Sequence, residues 1–154
     1  MKMLELVEAK RCTPEAGRIE VRVCAVGLNF RDVLNVLGMY PGDPGPPGGD
    51  CAGIVTAVGA DVAGFEVGDR VFGIARGSLE AYVVADACHI RKLPASMSFA
   101  EAASLPILVT TVHRALVELA RMRKGQRVLV HAGAGGIGLT AIHYAQKLGC
   151  EVVA

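Results

Sequence analysis

The stretch Arg127-Val-Leu-Val-His-Ala-Gly-Ala-Gly-Gly-Ile-Gly-Leu-Thr-Ala-Ile-His-Tyr-Ala-Gln-Lys-Leu-Gly-Cys150 reads as an apolar strand, a glycine turn and a helix. Gly133, Gly135 and Gly138 satisfy the spacing G-x-G-x-x-G, which is a weak signal by itself. Here it follows Val128-Leu129-Val130 and opens a helix with Ile137, Ala141, Ile142, Ala145 and Leu148 on one face. In that setting each glycine has a role in holding a dinucleotide. Gly133 lets the chain turn off the strand, Gly135 lets the backbone approach a pyrophosphate, and Gly138 lets helix and strand pack closely. The unpaired N–H groups and dipole of a helix N-terminus favour phosphate. Gly133, Ala134, Gly135, Gly136, Ile137 and Gly138 are therefore candidate cofactor-binding residues. The alternative is a glycine turn that packs strand on helix and holds no ligand.

A doubly wound domain needs about six strands. From Arg127 onward there is one strand, one helix and the start of a second strand, Glu151 to Ala154, so the expectation is the first βα unit of a truncated Rossmann domain. Upstream, to about Leu93, short strands alternate with glycine turns. Ile19, Val21, Val23 and Ala25 alternate with Glu20, Arg22 and Cys24, the period-two pattern of a half-buried strand. Phe30, Val33, Leu34 and Leu37 take helical spacing up to Gly38, and a Gly/Pro-rich loop, Tyr40 to Gly49, follows as a connector or the wall of a site. Cys51 to Val58, Arg70 to Ile74, Leu79 to Val84 and His89 to Leu93 complete a small barrel-like β domain. Ser98 and Glu101 fit a capping box, and the domain boundary is placed just before it, at Pro94. That gives a β domain over 1–94 and the start of the α/β domain over 95–154. A longer helical pattern spans Ile107 to Met122 and closes at Lys124-Gly125.

Hydrophobic residues make up 52% of the chain and aromatics 5%, with no Trp and 19 Gly. The core must therefore be built from Val, Ala, Leu and Ile. A net charge of +1 with interspersed signs gives no footprint for nucleic acid or for a basic membrane surface. Five scattered cysteines, with no C-x-x-C pair, read as free thiols in a reducing compartment, and hence a cytoplasmic protein. Charges at Glu5, Glu8, Lys10 and Arg11 interrupt any signal-peptide core, and Pro106 breaks the apolar run Ala102 to Val112, so no membrane span is expected.

Specific wording narrows the family. Gly27-Leu-Asn-Phe-Arg-Asp-Val-Leu34, Gly38-Met-Tyr-Pro-Gly42, Gly48-Gly-Asp-Cys-Ala-Gly53, Gly68-Asp-Arg-Val71, Leu105-Pro106 and Val130 to Gly138 together resemble the enoyl reductase domains of polyketide synthases. These belong to the zinc-free, quinone-reductase-like branch of the medium-chain dehydrogenase/reductases. The resemblance covers nearly the whole chain. It implies a GroES-like β-barrel substrate domain followed by a Rossmann domain inserted before its final strands. It also implies NADPH-dependent hydride transfer to the β-carbon of an enoyl thioester on an acyl carrier protein, with neighbouring polyketide synthase domains as partners. The isolated chain is expected to be poorly stable and inactive, because the single parallel unit at its end lacks neighbours to cover both faces of its strand.

Residue by residue, the resemblance gives Tyr40 the position associated with α-methyl configuration, as proton donor or shape element; a Tyr that merely packs the loop is the alternative. It puts Asn29 near the nicotinamide, although Asn before a helix is also a common N-cap. It brings Thr111 toward the cofactor, against a Thr bonding back to its own helical turn. Arg31 and Asp32 read as surface charge at a helix start. His89, His113, His131 and His143 show no partner by spacing, and no dyad is assigned. Gly49-Asp50 stand where zinc-using relatives carry His-Glu, so no metal is expected. Further proton-donor candidates and the residues that select NADPH would fall beyond Ala154. A stand-alone quinone or alkenal oxidoreductase, and a non-catalytic GroES-like module, are the rival readings.

Overall fold

A computed structural model of the chain describes residues 7–8 and 11–154. Much of the charged N-terminal segment read above therefore lies outside the described residues. The chain forms two compact units, one running to Pro106 and the other from Ile107 to Ala154.

In the first unit β1 (Arg18–Gly27), β2 (Asp50–Val58), β3 (Arg70–Ile74), β4 (Tyr82–Asp86) and β5 (Ile90–Lys92) form one antiparallel sheet in the order β4-β1-β2-β3-β5. Its inward face carries Ile19, Val21, Cys51, Val55, Val71, Val83, Ala85 and Ile90 in a single cluster. Val83 and Ala85 come from one end of the strand order and Ile90 from the other, so the sheet curls around this cluster as the GroES-like reading expects. Alternation then puts Ala52 and Phe72 on the opposite face. There Ala102 and Ala103 of α2 (Phe99–Ala103) pack with Ala52 and Leu93.

This packing is why the first unit continues past the expected boundary at Pro94: α2 closes the back of the sheet. Its capping box forms as read, with Ser98 N–H donating to Glu101 Oε2 at 2.8 Å and Glu101 N–H donating to Ser98 Oγ at 3.2 Å. The Ser98 hydroxyl, which donates to Glu101 Oε2 at 2.7 Å, and then the Ser98 N–H hold the Glu101 carboxyl below its ordinary value.

Two strand readings shift. The expected strand Leu79 to Val84 begins only at Tyr82, and the expected strand His89 to Leu93 is shortened by a 3₁₀ turn over Ala87–His89. The β1 alternation holds at Ile19 and Val21, but Glu20 is also buried. Arg11 explains it. Its Nε donates to Glu20 Oε1 at 3.2 Å and its Nη2 to Oε2, while Thr56 Oγ1 donates to Oε2 at 2.6 Å. These bonds, the Arg11 bond above all, hold the Glu20 carboxyl below its ordinary range against the opposing effect of burial.

The second unit opens with α3 (Pro106–His113), which widens into a π-helical turn over Arg114–Leu119. β6 (Arg127–Leu129), α4 (Gly136–Lys147) and β7 (Glu151–Val153) follow. β6 and β7 pair in parallel, Val128 opposite Val152, so strand, helix and strand make one βαβ unit as the Rossmann reading requires. α4 ends in a Schellman motif: Gly149 has φ +78°, Gly149 N–H donates to Gln146 O at 2.9 Å, and Cys150 N–H donates to Ala145 O at 3.0 Å.

The 21 residues Phe99–Leu119 are long and apolar enough to cross a membrane by length and composition, with mean hydropathy 1.3. They are divided at Ser104-Leu105 between α2 and α3, and they carry Glu101, Arg114 and Glu118.

Candidate functional site

The helix expected over Phe30 to Leu37 is present as α1 (Phe30–Val36), with Leu37 as C-cap and Gly38 at φ +67°. Its facing is the reverse of the usual one. Phe30 is 75% exposed, and Leu28, Val33, Leu37 and Met39 are exposed as well, whereas Asp32 is buried at 7%. The reading of Asp32 as surface charge is therefore corrected. The Asp32 carboxylate accepts from Asn29 N–H at 2.9 Å, closing a capping box, and from Gly48 N–H at 2.8 Å. Hydrogen bonds from two main-chain donors to a carboxylate are of the stronger, charge-assisted kind and offset the cost of its burial.

Three α1 side chains bind the Gly/Pro loop. Besides Asp32 on Gly48, Arg31 Nη2 donates to Pro44 O at 2.7 Å and Asn35 Nδ2 donates to Gly45 O at 3.0 Å. Arg31 is thus a loop tether, and its guanidinium lies 5.1 Å from the centroid of the Tyr40 ring. The loop is held along its length, at Tyr40, at Pro44 and Gly45, and at Gly48. Gly48 has φ +96°, and a Cβ there would lie 2.5 Å from Leu79 N and 2.7 Å from Ser78 Oγ, so no other residue fits.

Asn29, the N-cap of α1, turns its side chain into the fold: Nδ2 donates to Asp50 Oδ2 at 3.0 Å. Asp50 is buried at 2% at the start of β2, and Ser78 Oγ donates to its carbonyl oxygen at 3.0 Å. The neighbouring Cys51 thiol is pushed up to about 12, by burial first and by the Asp50 charge second. Among the described residues no group of three His, Cys, Asp or Glu side chains is placed to hold a metal ion.

In the second unit the glycine turn divides its labour differently from the sequence reading. None of Gly133, Gly135, Gly136 and Gly138 has positive φ; the left-handed residue is Ala132, at φ +56°. A Cβ on Gly138 would lie 2.2 Å from Ala132 O and 2.8 Å from Gly133 Cα, so this glycine is the close contact between helix and turn. Gly133 is hemmed in by Ile142 and Ala154 at 3.2 and 3.1 Å, and Gly136 by Leu108 at 3.2 Å. Gly135 differs. It caps α4 at φ −81° and ψ 164°, and a Cβ there would meet only Ala132 O, at 3.5 Å, an ordinary contact.

Residues 134–137 are exposed, and the first N–H groups of α4 have no acceptor within the helix. Backbone donors beside a bare Gly135 make a cradle that fits the pyrophosphate of a dinucleotide. Thr111 is exposed on α3, three residues from Leu108 and so on the same helical side as the residue that touches Gly136.

Two of the four histidines lie near polar side chains. His113 Nδ1 is hydrogen-bonded to Tyr144 Oη across α3 and α4, with Glu118 Oε1 3.9 Å from its Nε2. His89 Nδ1 lies 3.9 Å from Asp86 Oδ2. Neither distance to a carboxylate is a hydrogen bond.

Residues 15–95 match the alcohol dehydrogenase GroES-like domain family. The chain is 49% identical over 138 residues to the spectinabilin polyketide synthase system protein NorB of Streptomyces orinoci, a match covering 90% of this chain and 6% of that protein. It is similar to the crystal structure of CurK enoyl reductase with a TM-score of 0.89 and 39% identity, over 95% of this chain and 48% of that one. The Escherichia coli quinone oxidoreductase solved with NADPH matches with a TM-score of 0.82 and 34% identity, over 95% and 46% of the two chains. The chain thus spans about half the length of these solved structures and a small part of the curated relative.

Proposed function

The chain belongs to the alcohol dehydrogenase GroES-like domain family, alongside the polyketide enoyl reductases of the medium-chain dehydrogenase/reductase superfamily, and from that premise we propose that it is part of an NADPH-dependent enoyl-thioester reductase. The substrate on this reading is an α,β-unsaturated acyl chain on an acyl carrier protein, and the product is the saturated chain. The observation that carries the reading is the Gly135 cradle, a glycine that internal packing leaves unexplained, in front of open helix N–H groups.

When bound, NADPH supplies the hydride; residues Gly133 to Gly138 would hold its phosphates, with Asn29 and Thr111 toward its nicotinamide. The neighbouring quinone oxidoreductase was solved with NADPH, which supports that choice of dinucleotide. Reduction of an enoyl thioester leaves charge on the carbonyl oxygen and a carbon to be protonated. Tyr40 would hold the proton at its hydroxyl, near the α-carbon. Arg31, against the Tyr40 ring and on the Pro44 carbonyl, keeps that side chain and its loop in one place. The protein works, on this reading, in the cytoplasm among the other domains of a polyketide synthase.

The test is NADPH oxidation by the complete reductase domain that carries this chain, with a short 2-enoyl thioester in one assay and a quinone in another. Thioester turnover supports the reading. Turnover of quinone alone moves the protein to the stand-alone reductases and removes the role given to Tyr40.

A further inference from the structure

Two buried carboxylates converge on Asn29. Asp32 takes its main-chain N–H at 2.9 Å and Asp50 takes its side-chain N–H at 3.0 Å. An ionised carboxylate is acceptor-only, so the amide nitrogen, never the amide oxygen, must face Asp50. That fixes which way the carboxamide lies. One Nδ2–H is spent on Asp50, and the second belongs to a residue that is only half-buried.

Asp50 itself has little freedom. It is the first residue of β2, paired with Gly27 and Ile74, and Ser78 holds its carbonyl. A Cβ on Gly27 would stand 2.9 Å from Asp50 Cβ, so the wall behind it is tight. Stability alone does not call for a charge here, because an apolar side chain of similar size avoids the cost of desolvating a carboxylate.

We propose that Asp50 is a positioning residue, which orients the Asn29 carboxamide so that its second N–H meets a ligand's carbonyl oxygen. The ligand is the carboxamide of the nicotinamide or the carbonyl of the thioester, and the assignment rests on the proposed reductase reading. Asp50 touches neither ligand; it acts through Asn29.

The test is a double-mutant cycle in the complete reductase domain, with Asn29→Ala, Asp50→Asn and the pair, read in two arms. One arm is the Kd for NADPH alone, and the other is kcat/KM for the 2-butenoyl thioester of N-acetylcysteamine at saturating NADPH. Each single variant should lose about tenfold in the arm where the carbonyl oxygen belongs, the scale of one hydrogen bond to or from a charged network. The pair should lose no more than either alone. A loss confined to Kd assigns the oxygen to the cofactor, and a loss confined to the thioester arm assigns it to the substrate.

A third measurement is independent of turnover. The side-chain 15N–1H pair of Asn29, one of two asparagines in the chain, should carry one strongly shifted proton that disappears in Asp50→Asn. Ser78→Ala, which removes only the bond to the Asp50 carbonyl, should lower the melting temperature and leave that proton in place. If Asp50→Asn does not fold, Asp50→Ser, with a smaller acceptor, takes its place in the cycle. Additive losses, or unchanged parameters in both arms, would overturn the proposal. An absence of thioester turnover with the shifted proton intact would count against the reductase reading and leave the NADPH arm to decide.

Discussion

Gly135 and Gly138 lie three residues apart in one turn, and replacing them should separate ligand binding from folding. At Gly138 a Cβ would overlap main-chain atoms, Ala132 O at 2.2 Å and Gly133 Cα at 2.8 Å, which cannot swing aside as a side chain can. Overpacking of this kind costs about 1–3 kcal/mol, with backbone overlap at the upper end. Ala gains about 1 kcal/mol over Gly in helix propensity. The net expectation for Gly138→Ala is a loss of about 2 kcal/mol. At Gly135 the new Cβ has room, φ −81° and ψ 164° suit any L-residue, and Ser is a preferred N-cap. Gly135→Ser should therefore stay within about 0.5 kcal/mol of the parent. It nonetheless puts a side chain where a pyrophosphate would rest against the backbone, and a loss of tenfold or more in NADPH affinity is expected, about 1.4 kcal/mol or above. Urea denaturation followed by circular dichroism gives the first quantity, and titration of NADPH fluorescence gives the second, both on the complete reductase domain. Undiminished NADPH binding by Gly135→Ser would refute the cradle, and a fully stable Gly138→Ala would refute the close packing.

Asp32→Ala should destabilise the β domain by about 2–4 kcal/mol, because it strands the Asn29 and Gly48 N–H donors, and the urea midpoint measures it. Glu20 gives a pH signature. Its carboxyl is held below the ordinary 4.5, so its contribution to stability is complete above that value and is lost as pH falls through the lowered folded value. The stability gap between the parent and Glu20→Gln should accordingly narrow on acidification from pH near 4.5 downward, and a gap constant to acid would contradict the Arg11–Glu20 pairing. Among the thiols, Cys12, Cys24 and Cys88 are exposed and should react with a disulfide reagent at pH 8 in the native protein. Cys51, pushed up to about 12, should react only after unfolding.

The local features were readable from the chain, and the features that failed to show were those set by distant partners. β3 has the limits that its apolar residues and flanking turns suggested, and the Ser98 capping box formed because all its donors and acceptors lie within four residues. The extent of α1 was also legible, through Gly38 at its end. Its facing was not. Helical spacing of Phe30, Val33 and Leu37 says that these share a side, and nothing local says that this side is out, since what draws Asp32 inward is the Gly48 N–H, sixteen residues away. Glu20 sits at a polar position of a strand and is buried only because Arg11 and Thr56 satisfy it. In the glycine turn the left-handed residue is Ala132 and not a motif glycine, and its carbonyl lies against Gly138. The His113–Tyr144 contact joins residues 31 apart, with no periodicity to reveal it.

Because α1 is secured by directional polar bonds on its inner side, its outer residues are released from any duty to the fold. Phe30, Val33, Leu37 and Met39 can be exchanged for side chains of other size or polarity with little effect on whether the β domain folds. In most helices the apolar stripe is both the glue and the face, so that changing one damages the other. Here the two functions occupy different sides of the same two turns. A library randomised at those four positions should consist largely of folded members, which leaves the outer side of α1 and its C-terminal turn open to redesign.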